Sequence, residues 1–262
     1  MNRIYFWIML ACTAGANSVS WAADSSAAKP WYPLIPGAKH SYEETQDSVQ
    51  IADGKTNTVH VTGVLQEEIL PAPAHYKELG VTALSHIAAT EQRSEGGNTS
   101  DVSGGYVQLW EWRQNDLYLH GVRIWIDGAY TEDMNLYQPP LLYLKTSAQV
   151  GERWAVGTQK SMGTELPTVA TMQSRETVVV PAGTFSNCLK IVYSSTERPA
   201  PNEQLDQPTI EEGTVQDTIW FARDVGMVME RQLSTTTLAT KRGRVFQREE
   251  DTKVLKSYTP AK

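Results

Sequence analysis

The sequence predicts a mainly β fold, an antiparallel meander curled into an open barrel or half-barrel with little helix. Two observations carry that prediction. Runs of alternating apolar and polar residues, rich in β-branched and aromatic side chains, recur between clusters of Gly, Pro, Asn and Asp. Helical periodicity is confined to short stretches, and no repeat at a solenoid period is present.

The chain opens with Arg3, an apolar run from Ile4 to Leu10, then small residues ending Ser20-Trp21-Ala22. Small side chains at −3 and −1 suit signal peptidase, so residues 1–22 read as a signal peptide cleaved after Ala22. The apolar run falls short of the roughly 20 residues that span a bilayer, so no transmembrane segment is expected after cleavage. A lipoprotein cut at Cys12 is the disfavoured alternative, because Met9 stands where Leu is usual and the leader would be very short. The expected location is therefore exported, periplasmic or secreted. Residues 23–30, small and unpatterned, read as a flexible tether, and residues 31–262 as a single β-rich domain.

Strand patterns follow at 56–69, 106–113, 117–126, 174–180, 188–195, 217–222, 227–236 and 244–255. Residues 72–92 have room for a turn or two of helix before a strand. Asn115 and Asp116 tolerate positive φ and predict a two-residue hairpin that sets Trp112 opposite Leu119 and Trp110 opposite Gly121. Pro181 and Gly183 predict a three-residue hairpin with a bulge, and 222–228 turns one strand into the next. Residues 95–105 and 197–213 read as loops, and 132–144 as a connection broken by two prolines.

The full chain carries 23 Lys and Arg against 30 Asp and Glu, a formal net −7. Signal cleavage removes Arg3 and no acid, which deepens the imbalance. An acidic chain of mixed sign lacks the basic patch that phosphate backbones demand, so nucleic acid is not an expected partner. The basic run at 241–244 is followed by Arg-Glu-Glu-Asp at 248–251 and reads as a solvated edge.

Chemical constellations are few. Asp-Val-Ser-Gly-Gly at 101–105 departs from a serine-protease nucleophile turn at Val102, and no G-x-S-x-G or phosphate-cradling glycine motif occurs. His40, His60, His75, His86 and His120 have no metal-ligand spacing, so neither metal nor cofactor is expected. The pairs Glu43-Glu44, Glu67-Glu68, Glu211-Glu212 and Glu249-Glu250 would point to opposite faces of a strand and read mostly as solvated sheet edges. With Cys12 lost, Cys188 cannot form an internal disulfide. Its β context offers no cation or helix N-terminus to make a thiolate, so it reads as structural, with Pro181 and Gly183 shaping the turn before it.

The best functional hint is aromatic. Tyr106, Trp110 and Trp112 share one strand face, joined by Leu119 and Trp125 in the hairpin register above. The opposite face, with Leu109, Tyr118, Val122, Ile124 and Ile126, is also apolar. Such a sheet needs cover on both sides, from a second layer or by curling round a cavity. Tyr106, Trp110, Trp112, Leu119 and Trp125 are therefore candidate ligand-binding residues, or simply core.

Three segments give a resemblance. "WYPLIPGAKHSY" resembles a Y-x-P-L-x-x-G-x-x-x-x-Y opening, "VPAGTFSNCLKI" a V-P-A-G-T-F-x-N-C hairpin, and "WFARDVGMV" a W-[FY]-A-x-x-V-G-x-V element. All three occur in a group of exported bacterial β-rich proteins of unknown function. The resemblance implies an envelope protein and assigns no catalytic residue. His40 stands where that opening commonly has Trp, which predicts looser packing of the first strand. A more distant fold analogy is to the open barrels of outer-membrane lipoprotein carriers, whose apolar concavity shelters acyl chains.

The expected function is a non-enzymatic envelope protein binding a lipid or other hydrophobic small molecule in an apolar concavity. The alternative is an interaction or assembly module docking another envelope protein through a strand edge or the 197–213 loop.

Overall fold

The structure, a computed structural model, describes residues 30–126, 129–130, 134–161, 164–199, 209–240 and 243–261. The signal-peptide assignment, the tether as far as residue 29 and the centre of the 197–213 loop lie outside the described residues. The elements in chain order are β1 (Lys39–Ala52), β2 (Lys55–Pro71), α1 (Ala74–Lys77), β3 (Ala83–Glu95), β4 (Asn98–Arg113), β5 (Asp116–Ile126), β6 (Ala129–Tyr130) and β7 (Asn135–Lys145). There follow β8 (Arg153–Ser161), β9 (Thr164–Val180), β10 (Gly183–Pro199), β11 (Thr209–Ala222), β12 (Gly226–Thr240) and β13 (Gly243–Thr259).

All 13 strands among the described residues belong to one antiparallel sheet in the order β6-β5-β4-β3-β2-β1-β13-β12-β11-β10-β9-β8, with β7 also on β5. Nearly every neighbour in space is a neighbour in sequence, so the sheet is a meander of hairpins. The exceptions are β7, which skips the two-residue β6 to pair with β5, and β1 on β13, where the two ends of the described chain pair at the middle of the sheet. The sheet curls without closing into a barrel. Its β7 side reaches β8, where the Trp154 indole N–H donates to the Leu142 carbonyl at 3.1 Å, but the pairings of these strands are to β5 and β9.

Several loops predicted from Gly and Pro content are strand. Residues 95–105 form a hairpin that needs only Gly96-Gly97 at its tip, both at positive φ. Residues 132–144 include most of β7, whose pairing with β5 is irregular around the prolines. The 197–213 segment is ladder at both ends, with Glu197 opposite Gly213. The strands β1 and β8 and the first half of β9 went unpredicted because small and polar residues dilute their alternation.

The strand β4 is buried on both faces from Gly105 to Glu111. Curling covers one face: Trp110 packs edge-on to Tyr143 at 5.4 Å, and Tyr143 stacks on Tyr193 at 4.9 Å. The other face is covered by the segment around α1, where Ala72 and Val81 pack on Leu109. Gly80 lies so close to the Glu111 carboxyl, 3.2 Å from where a Cβ would be, that a side chain there would crowd it.

The segment Trp31–Leu34 and the β9–β10 hairpin lie at the apolar end of the curl. Trp31, Tyr32 and Leu34 are buried, and the Ala182 N–H donates to the Leu255 carbonyl. The hairpin turn is Pro181-Ala182 with Gly183 opposite Val180, so the loop is two residues and not three. Its bulge comes later, between Phe185 and Cys188, with Asn187 at φ 58°. Gly226 sits 2.8 Å, at its Cβ position, from the Tyr32 ring, so only glycine lets this turn close on the tyrosine.

Candidate functional site

The β4–β5 hairpin turns at Gln114-Asn115, both at positive φ, one residue earlier than Asn115-Asp116. Trp112 therefore faces Leu117, and Trp110 faces Leu119. A bulge then leaves His120 unpaired and puts Leu109 opposite Gly121. This extra residue reverses the alternation beyond it. Tyr106, Trp110, Trp112, Leu117, Leu119, Val122 and Ile124 share the inward face, while Trp125 is on the outward face and stacks on His86 at 6.0 Å. Trp125 does cover a glycine, but it is Gly105, whose Cβ position is 2.8 Å from the indole. Among the sequence candidates, Tyr106, Trp110 and Leu119 are buried in the core and Trp112 is half-buried, its indole donating to the Tyr32 carbonyl.

Away from this apolar end the inward face becomes charged. Across the sheet, Glu91, Gly63, Glu44, Lys253 and Glu230 stand opposite one another on β3, β2, β1, β13 and β12. The next inward row is Gln46, Asp251, Gln232, Asp217 and Tyr193. Lys253 is buried, its ammonium 2.8 Å from Glu230, 3.0 Å from Asp251 and 3.7 Å from Glu44. Burial pulls this ammonium toward neutrality, but the facing carboxylates outweigh it and hold its pKa well above the usual lysine value.

One lysine cannot neutralise so many acids. Burial, reinforced by the charges of Asp251 and Glu230 respectively, pushes Glu44 and Asp217 well above the carboxylate range. Burial also raises Glu230, though Lys253 beside it pulls the other way. Asp217 and Glu230 lie together, so a proton held on Asp217 can bridge the two carboxyls. Toward the far end Ser48 and Ser234 donate to Glu249, which burial pushes up to about 8. Glu197 passes over Gly213 to accept a hydrogen bond from Thr236 at 2.8 Å.

A second polar knot fixes the apolar end. Glu67 accepts from the Tyr32 hydroxyl at 2.8 and 2.9 Å and from Ser85 at 2.5 Å, with the His40 ring 3.1 Å away. His40 also donates from Nε2 to the Val225 carbonyl at 2.8 Å. The first strand is thus tightly packed at His40, contrary to the looser packing predicted there.

Glu44, Glu67 and Glu249 are the inward members of three Glu-Glu pairs that read as solvated edges. Each pair splits across the sheet; Glu67 and Glu249 are buried beneath the curl and the Glu44 side chain is only 11 % exposed. The run 248–251 is likewise half interior, since Glu249 and Asp251 are only 6 % exposed. A signal for this existed: strict alternation sends one of two adjacent strand residues inward. Which member went in could not be read without the register.

Cys188 is fully buried, donates weakly to the Phe185 carbonyl at 3.3 Å and has its thiol pushed up to about 11 by burial. No group of three or more metal-ligating side chains converges among the described residues. No described helix is long and apolar enough to cross a membrane. The outward positions of β1, β2 and β13 include Lys39, Glu43, Asp47, Thr58, His60, Thr62, Arg248, Glu250 and Lys256, a polar surface unlike the apolar band of a membrane-spanning barrel.

No family model matches the chain, and no curated protein matches it. Among solved structures it is similar to a protein described as a lipoprotein from Parabacteroides distasonis, at 13% identity and TM-score 0.36, covering 88% of this chain and 99% of that one. An outer membrane channel from Pseudomonas putida F1 gives 11% identity and TM-score 0.36, covering 89% and 99%. An S-type phycobiliprotein lyase from Guillardia theta gives 11% and 0.32, covering 85% and 89%. Likenesses this remote transfer neither ligand nor activity.

Proposed function

We propose that this chain is an exported, non-enzymatic envelope protein that binds a lipid or other hydrophobic group at the apolar end of its curled sheet. The observation that carries the reading is the β7–β8 seam. The curl is unlaced there, and it is bordered by the apolar side chains Leu141, Leu144, Trp154 and Val156. Leu141 lies 2.5 Å from where a Gly157 Cβ would be, so the strands meet through side-chain packing and not a ladder. An acyl chain entering at this seam would meet Trp110, Leu117, Leu119 and Tyr143. The charged rows farther in would stop it, because burying hydrocarbon against them would strand polar groups. Separate β5–β7 and β8–β9 pairings leave the two lips free to part without breaking a ladder hydrogen bond.

The test is a dansyl-labelled fatty acid titrated into the wild type and Trp154→Phe. Losing the indole bond to Leu142 removes a restraint on the seam, so uptake should quicken while the fold, read by circular dichroism, is kept. Saturable binding with faster uptake in W154F supports the reading. Absence of binding to the wild type, or identical uptake rates, counts against a lateral door, and a copurifying protein without lipid would point to the assembly role.

A further inference from the structure

We infer that the outward face of β9–β12 carries a separate binding site for an acidic saccharide. A groove of ≈ 460 Å³ lies there, lined by Thr171, Gln173, Lys190, Val192, Gln216, Thr218, Trp220 and Arg231. Its shape follows from the register. Thr171, Val192, Thr218 and Arg231 form one outward row, so three small β-branched residues make a valley that ends at a long cation. The neighbouring row sets Lys190 opposite Trp220, and the β9–β10 bulge beside Lys190 deepens the step between the rows.

The two cations are held in place. Trp220 is only 4 % exposed, and the Lys190 ammonium and Arg231 guanidinium lie 5.1 and 5.9 Å from its ring centre. The Trp220 indole N–H donates to Glu176 at 2.7 Å, which fixes the ring, and Glu176 lies 3.5 Å from Lys190. Arg231 makes no ion pair among the described residues. Two positive groups against one carboxylate leave this groove with a net positive charge on a chain that is negative overall.

The lining selects the ligand class. Thr171, Gln173, Gln216 and Thr218 offer hydroxyl and amide groups that both donate and accept, which suits the hydroxyls of a sugar. Lys190 and Arg231 supply charge for a carboxylate. The volume is within the range of small-molecule sites and is far larger than a single inorganic anion needs. An oligosaccharide carrying ring carboxylates satisfies all three features. This site is on the opposite face of the sheet from the hydrophobic site proposed above and does not depend on it.

The test is calorimetric titration of the folded protein with tri-galacturonate, with maltotriose as the uncharged control. Tri-galacturonate should bind and maltotriose should not, with affinity falling as salt is raised. Lys190→Gln and Arg231→Gln should each weaken binding about tenfold with the fold, read by circular dichroism, unchanged, since Lys190 is half-buried and Arg231 exposed and neither belongs to the hydrophobic core. Glu176→Gln should tighten it by removing the competing carboxylate. Equal binding of the two trisaccharides, no binding of either, or an affinity untouched by K190Q and R231Q would overturn the inference.

Discussion

Replacing Lys253 with Met keeps an unbranched side chain, one heavy atom shorter, and deletes the cation that faces Glu230, Asp251 and Glu44 among the described residues. Removing one partner of a buried ion pair costs about 3–5 kcal/mol, because the remaining charge is left uncompensated. For a domain of this size each kcal/mol moves the melting temperature by about 2–4 °C. K253M should therefore melt about 6–20 °C below the wild type at pH 8. The loss should shrink as the pH falls, because the stranded carboxyls can take up protons and lose the charge that Lys253 balanced. Differential scanning calorimetry of both proteins at pH 8 and pH 4.5 measures this. A loss that is small at pH 8, or the same at both pH values, would refute the interior charge balance described here.

Three further outcomes follow from the same geometry. Glu249, raised to about 8, holds a proton in the folded state that the unfolded chain releases near its ordinary value of 4.5. Its contribution is complete below the unfolded value and lost as pH rises through about 8, so Glu249→Gln should flatten the fall in melting temperature between pH 5 and 8.5. Gly213→Ala would put a Cβ 2.1 Å from the Glu197 carboxylate, so it should cost about 1–3 kcal/mol in urea unfolding. Cys188 should stay unreactive to Ellman's reagent until the protein unfolds, and Cys188→Ser should cost no more than about 1.5 kcal/mol, its hydroxyl able to keep the bond to the Phe185 carbonyl.

The fold class was legible because it rests on alternation, which strands such as β2, β5 and β13 display in their sequence. Loop composition misled where glycine was present for another reason: Gly104 and Gly105 are in a strand, and Gly105 is there because the Trp125 indole and the Ile87 carbonyl leave no room for a side chain. The inward aromatic face was read correctly as far as Leu119. Beyond it one unpaired residue, His120, turned Trp125 outward, and a bulge of that kind has no compositional signature.

The charged interior was the least legible feature. In Glu249-Glu250-Asp251-Thr252-Lys253-Val254 a hydrophobicity rule buries Val254 and sends Lys253 to water, whereas the structure buries Lys253 on the inward face and leaves Val254 half-buried on the other. Lys253 goes inside because acids on β1 and β12 face it across the register, and those pairings span some 200 residues of sequence between β1 and β13. The outward groove was invisible for a similar reason. Lys190, Trp220 and Arg231 are on three strands and meet only when the register is known.

The most direct test of the proposed lipid site is native mass spectrometry of the protein purified from the cells that make it, with the solvent extract analysed alongside. The account predicts a bound mass in the lipid range, lost on extraction and regained on incubation with envelope lipids. A clean apo mass that envelope lipids leave unchanged would contradict it.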